Sequence, residues 1–193
     1  MRSKLMKTAF PIALLTLAFL LAGCLPFPLG SPQKSVMDQK LAGYWLNSDD
    51  DRLALITLYP YDEHTYMAQT AEFKKGENPE LVSLQTYKAW LTTIKGATFI
   101  TLEPLVQRLP SSEEGSRFYV VARLVPSGKS MQVKPIDSDF EPIKSVKSAE
   151  EEAEIITKNI DDPKLYADKP VTYTHLDPDK DKEVLEPMLK VFK

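Results

Sequence analysis

Apolar positions along the chain fall into two regimes. From Thr8 to Ala22 no charge interrupts a run that contains Ile12, Leu14, Leu15, Leu17, Phe19, Leu20 and Leu21. Beyond residue 40 the pattern becomes a series of short segments rich in β-branched and aromatic residues, at 41–47, 53–59, 64–73, 81–94, 97–103, 117–125, 129–134 and 171–176. Each has the length and composition of a strand, which predicts eight strands. Pro60, Pro79, Pro104, Pro110, Pro126, Pro135, Pro170 and Pro178 fall between or just outside these segments, where no ladder N–H is needed. Lys95-Gly96 and Ser127-Gly128 predict tight hairpin turns that need a residue tolerant of positive φ. Consecutive hairpins make an antiparallel meander.

One helix is well signalled, near residues 148–160. Ser148 followed by Glu151 forms a capping box, and Glu150, Glu151 and Glu152 place negative charge on the positive end of the helix dipole. Ala149, Ala153, Ile156 and Ile160 fall on one stripe, and Asp161-Asp162-Pro163 ends the element. A short amphipathic helix is marginal alone, so its apolar stripe is expected to cover a sheet face or a barrel end. A second short helix is expected over 183–191, interrupted by Pro187.

Alternation within the strands shows two apolar faces. Over 117–125, Phe118, Val120, Ala122 and Leu124 form one set, and Tyr119, Val121, Arg123 and Val125 the other. Over 81–94, Val82, Leu84, Trp90 and Ile94 share one face and Leu81, Tyr87, Ala89 and Leu91 the other. Strands apolar on both sides fit a barrel partly covered by the helix, or a two-layer sheet with a buried middle; the barrel is the preferred reading. Gly43-Tyr44-Trp45 at the start of the first strand is similar to the Gly-x-Trp motif of lipocalins, whose Trp plugs one barrel end. That resemblance implies a mainly β fold: a lipocalin-like barrel of about eight strands. Its topology differs from a lipocalin's, because a strand follows the helix, and no Arg on the last strand matches the usual partner of the Trp.

The first two dozen residues carry sharper chemistry. Arg2, Lys4 and Lys7 precede the uncharged run, as in a secretory signal peptide over residues 1–23. Its fifteen residues would span about 22 Å as a helix, short of the roughly 30 Å hydrocarbon core of a bilayer. Leu21-Ala22-Gly23-Cys24 follows, and these four residues resemble the lipobox of bacterial lipoproteins at every position. The resemblance implies that Cys24 is joined to a diacylglycerol, that the leader is cut just before it, and that the freed amino group receives a further chain such as palmitate. In that family an Asp after the lipidated Cys retains the protein at the inner membrane. Leu25 stands there instead, which implies the outer membrane in a two-membrane cell. Pro26, Pro28, Gly30 and Pro32 make residues 24–35 read as an extended spacer ahead of a single β-rich domain at 36–193. The order of elements beyond the spacer also looks like that of an uncharacterised family of bacterial lipoproteins.

Composition narrows the partners. The 193 residues are 43% apolar and 26% charged, with a single Cys and a formal charge of −3, which excludes disorder, an internal disulfide framework and a Cys-rich zinc site. Loss of Arg2, Lys4 and Lys7 with the leader takes the charge to about −6, so nucleic acid is not an expected partner.

Candidate chemistry beyond Cys24 is thin. His64 and His175, the only histidines, have no carboxylate or thiol at a metal-binding spacing. Asp177-Pro178-Asp179-Lys180-Asp181-Lys182-Glu183 alternates like a calcium loop but has Lys182 where Gly is needed. Asp49-Asp50-Asp51 reads as a polar turn. No Gly-x-Ser-x-Gly or Ser-x-x-Lys nucleophile motif is present. Arg123 is the one charge within an apolar strand face; inside a barrel it would hold an anionic group, outside it would snorkel. The expectation is therefore a noncatalytic protein without cofactor or metal, moored to the membrane by an N-terminal lipid. Its domain would bind an envelope protein partner or, alternatively, carry a small apolar ligand in a barrel cup.

Overall fold

The computed structural model describes residues 24–105, 118–167 and 169–190. The leader with Leu21, Ala22 and Gly23 lies outside the described residues, as do Pro110, Arg117 and Val191. Nine strands form, β1 (Cys24–Leu25), β2 (Gly43–Ser48), β3 (Arg52–Pro60), β4 (Tyr66–Lys74), β5 (Glu80–Ile94), β6 (Ala97–Pro104), β7 (Tyr119–Ser127), β8 (Ser130–Pro135) and β9 (Val171–Leu176). Each of β2 to β9 pairs antiparallel with the next, and β9 returns to β2 through Tyr44↔Leu176 and Trp45↔His175. The result is a closed eight-stranded up-and-down barrel, lipocalin-like in architecture, in which closure leaves no free long edge. Two helices accompany it, α1 (Ala149–Lys158) between β8 and β9, and α2 (Lys182–Leu189) after β9.

Turn chemistry sets the register. Lys95 and Gly96 take φ of 49° and 80°, the two positive values of a type I′ hairpin turn, while Gly128 takes 60° at the tip between β7 and β8. The expected strand over 64–73 begins two residues later, at Tyr66. The Asp62 carboxylate accepts the amides of His64 and Thr65 at 2.8 and 2.7 Å and winds 62–65 into a turn.

Period-two alternation divides the strands as expected. Inside the barrel, Trp45, Leu58, Tyr66, Ala68, Tyr87, Ala89, Leu91, Ile100, Ala122, Leu124 and Met131 make one buried cluster. Two more clusters lie outside the wall. α1 lays Ile156, with the following Ile160, over Trp90, Phe99, Tyr119 and Val121 of β5, β6 and β7. α2 lays Leu185 and Met188 over Leu55, Ala71, Phe73 and Leu176. Leu81 departs from the expected face: a bulge opposite Glu72 and Phe73 shifts the start of β5, and Leu81 packs outside with the α2 cluster.

Residues 24–35 do not form a spacer. β1 pairs with β7 through Cys24↔Val120 and Leu25↔Tyr119, and Leu25 and Leu29 are buried at 0% and 1% exposure in the cluster beneath α1. The prolines keep this strap extended, and its side chains join the core.

Candidate functional site

Cys24 lies at the barrel end where β5 and β7 begin and β6 finishes. Its partner Val120 alternates with the inward-facing Ala122 and Leu124, so Cys24 sits at the rim on the side of the barrel mouth. The thiol is half-buried, and burial pushes its pKa up. That disfavours the thiolate a nucleophile or metal ligand needs. The Tyr87 hydroxyl inside the same mouth is pushed up by burial and, in a smaller part, by Cys24, and it donates to Gln85 Oε1.

One residue beyond Cys24 the chain is fixed. Leu25 is fully buried, and the Leu29 carbonyl accepts three hydrogen bonds of 3.0 Å, from Trp90 Nε1, Thr92 Oγ1 and Thr101 Oγ1. Ser35 Oγ accepts the Leu91 amide at 3.0 Å. On the α1 side, Glu152 is 1% exposed, and neither of its carboxylate oxygens has a hydrogen-bond partner. Burial pushes its pKa up to about 7, with the nearby Phe27 amide pulling the other way. Glu151 behaves as the capping box requires at one half only: Ser148 Oγ accepts its amide, while its own carboxylate accepts from Lys147 N rather than from Ser148.

The barrel interior is the second candidate. Its far end is packed: Trp45 Nε1 donates to the Leu41 carbonyl at 2.8 Å, and the Tyr66 hydroxyl donates to Asp38 O at 2.8 Å while accepting Asp38 N at 2.7 Å. His175 on β9 meets the Trp45 ring edge-on at 4.8 Å between centroids. Toward the rim the lining turns polar, with Arg52 and Glu72 paired at 3.5 Å and Asn47 Nδ2 donating to Thr172 O. Tyr173 there is pushed up to about 12, chiefly by burial and then by Glu72 and Asp49. One concavity of about 680 Å³ opens between the strap and the lower ends of β5 and β6, lined by Lys34 and Met37 together with Leu91 and Thr98, and one of about 410 Å³ lies beside the start of α1.

The remaining sequence candidates are structural. His64 Nδ1 meets the Ser35 carbonyl at 2.9 Å. Asp49 N donates to Arg52 O, and Asp51 O accepts Lys75 N, which makes the acidic triplet a turn. Asp177 accepts Lys180 Nζ at 2.7 Å, Asp181 accepts the Asp177 amide, and the loop leads into α2. Among the described residues no group of three His, Cys, Asp or Glu side chains is placed to hold a metal. Arg123 neither lines the cup nor snorkels free: it opposes Phe99 on the outer face and donates to the Ile160 carbonyl at 3.1 Å and the Tyr166 hydroxyl at 3.3 Å, fastening the end of α1. Sequence reasoning missed the triple hydrogen bond at Leu29 and the burial of Glu152. For Glu152 a signal existed, since it stands four positions before Ile156 on the same stripe.

No helix among the described residues is long and apolar enough to cross a membrane. Comparison with known protein families, curated proteins and solved structures finds no match to this chain.

Proposed function

We propose that this chain is a lipid-anchored lipoprotein of the bacterial cell envelope, at the outer membrane where the cell has two, with acyl chains on Cys24 and a noncatalytic β-barrel that binds an envelope protein. The observation that carries the reading is the succession, within two dozen residues, of a charged start, a short apolar run and Leu21-Ala22-Gly23-Cys24. Two or three long chains give lasting attachment, at about 0.8 kcal/mol per buried methylene. A domain confined to a surface meets other envelope proteins at a raised effective concentration. A protein partner is favoured over a small apolar ligand because Trp45, Tyr66, Leu91, Ile100 and Met131 pack together as one buried cluster inside the barrel.

Metabolic labelling with a fatty-acid analogue tests the anchor. The wild-type chain is expected to incorporate label and Cys24→Ala to lose it while its barrel still folds; a labelled Cys24→Ala protein overturns the assignment. In-cell crosslinking tests the partner, and the absence of any reproducible protein adduct counts against that half of the reading.

A further inference from the structure

Four large apolar side chains stand exposed at the Cys24 end of the barrel: Val82 at 56%, Leu84 at 43%, Leu105 at 55% and Phe118 at 39%. They form an arc. Val82 and Leu84 lie near the start of β5; Leu105 donates its amide to Thr86 O, two residues beyond Leu84; Phe118 lies two residues before Val120, the partner of Cys24. In sheet order β5, β6, β7 and β1 are consecutive neighbours. We propose that this arc of the rim, Val82, Leu84, Leu105 and Phe118, rests against the lipid bilayer, so that the barrel stands on its Cys24 end with the Trp45 end turned away from the membrane. The inference rests on the lipid attachment proposed at Cys24.

The geometry leaves little alternative once Cys24 is held at a bilayer. Consecutive Cα atoms are about 3.8 Å apart, and Leu25 is locked in the core, so no slack chain separates the anchor from the rim. The rim is drawn to the headgroup layer, where exposed Val, Leu and Phe side chains lose water-contacting area. The other exposed apolar side chains differ in place or in chemistry. Tyr59 and Tyr61 stand at the opposite end with hydroxyls suited to water, Val36 is set on the strap near that same end, and Val184 is on α2. The acidic turn Asp49–Asp51 lies at the same end between β2 and β3, where Asp49 O and Asp51 O accept from Lys75 of the β4–β5 turn.

Cys24 is the only cysteine, and acylation blocks it, so a single introduced thiol can be labelled alone. Full-length lipidated Leu84→Cys and Leu105→Cys, with Tyr61→Cys and Ser127→Cys as far-end controls, are labelled with a fluorophore. Each is reconstituted in phosphatidylethanolamine and phosphatidylglycerol vesicles with or without brominated acyl chains. Bromine is expected to quench residues 84 and 105 by about twofold or more and to leave 61 and 127 unchanged. Absence of quenching at 84 and 105, or equal quenching at all four, in protein that floats with the vesicles overturns the orientation and leaves the anchor standing. Protein that fails to float, with Cys24 itself open to the label, removes both.

Discussion

Gly43 shows how much a single residue can decide. Its φ of +123° is one that side-chain-bearing residues rarely adopt, and a Cβ there would meet His175 Nε2 at 2.9 Å. Gly43→Ala is expected to cost about 2 kcal/mol, measured by chemical denaturation; an unchanged midpoint would show that the Trp45–His175 corner tolerates a side chain. Glu152 carries a pH dependence. Its pKa rises from an ordinary 4.5 to about 7 in the fold, so the folded state prefers the proton. Its stabilising contribution is complete below 4.5 and is lost as pH climbs through 7. Glu152→Gln and wild type should therefore match at pH 4, and wild type should be weaker by about 3 kcal/mol at pH 8. A gap that stays constant across that range would place the carboxyl in water. The charge of Glu152 was legible in the sequence, and so was its suitability for a helix start. Its position four residues before Ile156 pointed toward the buried stripe, but the depth of its burial was not legible, because that depends on the strap lying over α1, a contact between parts of the chain 125 residues apart when counted from Phe27.

At the level of elements, the strap from β1 to Ser35 is where sequence reading and structure part most. Four residues between Cys24 and Ser35 are Pro or Gly, a composition that signals extended chain, and the chain is indeed extended. Composition carries no information on whether an extended segment meets a surface. Here Leu25 and Leu29 alternate into a groove left by β5, β6, β7 and α1, and Trp90, Thr92 and Thr101 converge on one carbonyl. Leu29→Ala is expected to destabilise the protein by about 3 kcal/mol and to open residues 26–35 to protease. Resistance equal to wild type would return the segment to the role of a linker. The helices illustrate the opposite case. The stripe through Ile156 and Ile160 and the cap at Ser148 place α1 within a residue or two of its observed ends, since a 3.6-residue period and an N-cap are local properties. α2 runs through Pro187 as Lys182–Leu189, held by burial of Leu185 and Met188 rather than by propensity.

For the molecule as a whole, the barrel was legible because both faces of its strands are apolar: one lines the interior, the other lies under α1 or α2. Val120, Ala122 and Leu124 against Tyr119, Val121 and Arg123 is the clearest example. Whether the cup is filled was not legible, since side chains from eight strands must be superimposed before their volumes can be compared. Closure is the feature with the widest consequence. The seam that completes the cylinder joins Tyr44 to Leu176, so the chain must be made through residue 176 before the earliest long strand finds its second neighbour. Until β9 arrives the flanks of β2 and β8 stay bare, so residues 171–176 are the stretch on which escape from aggregation during folding depends.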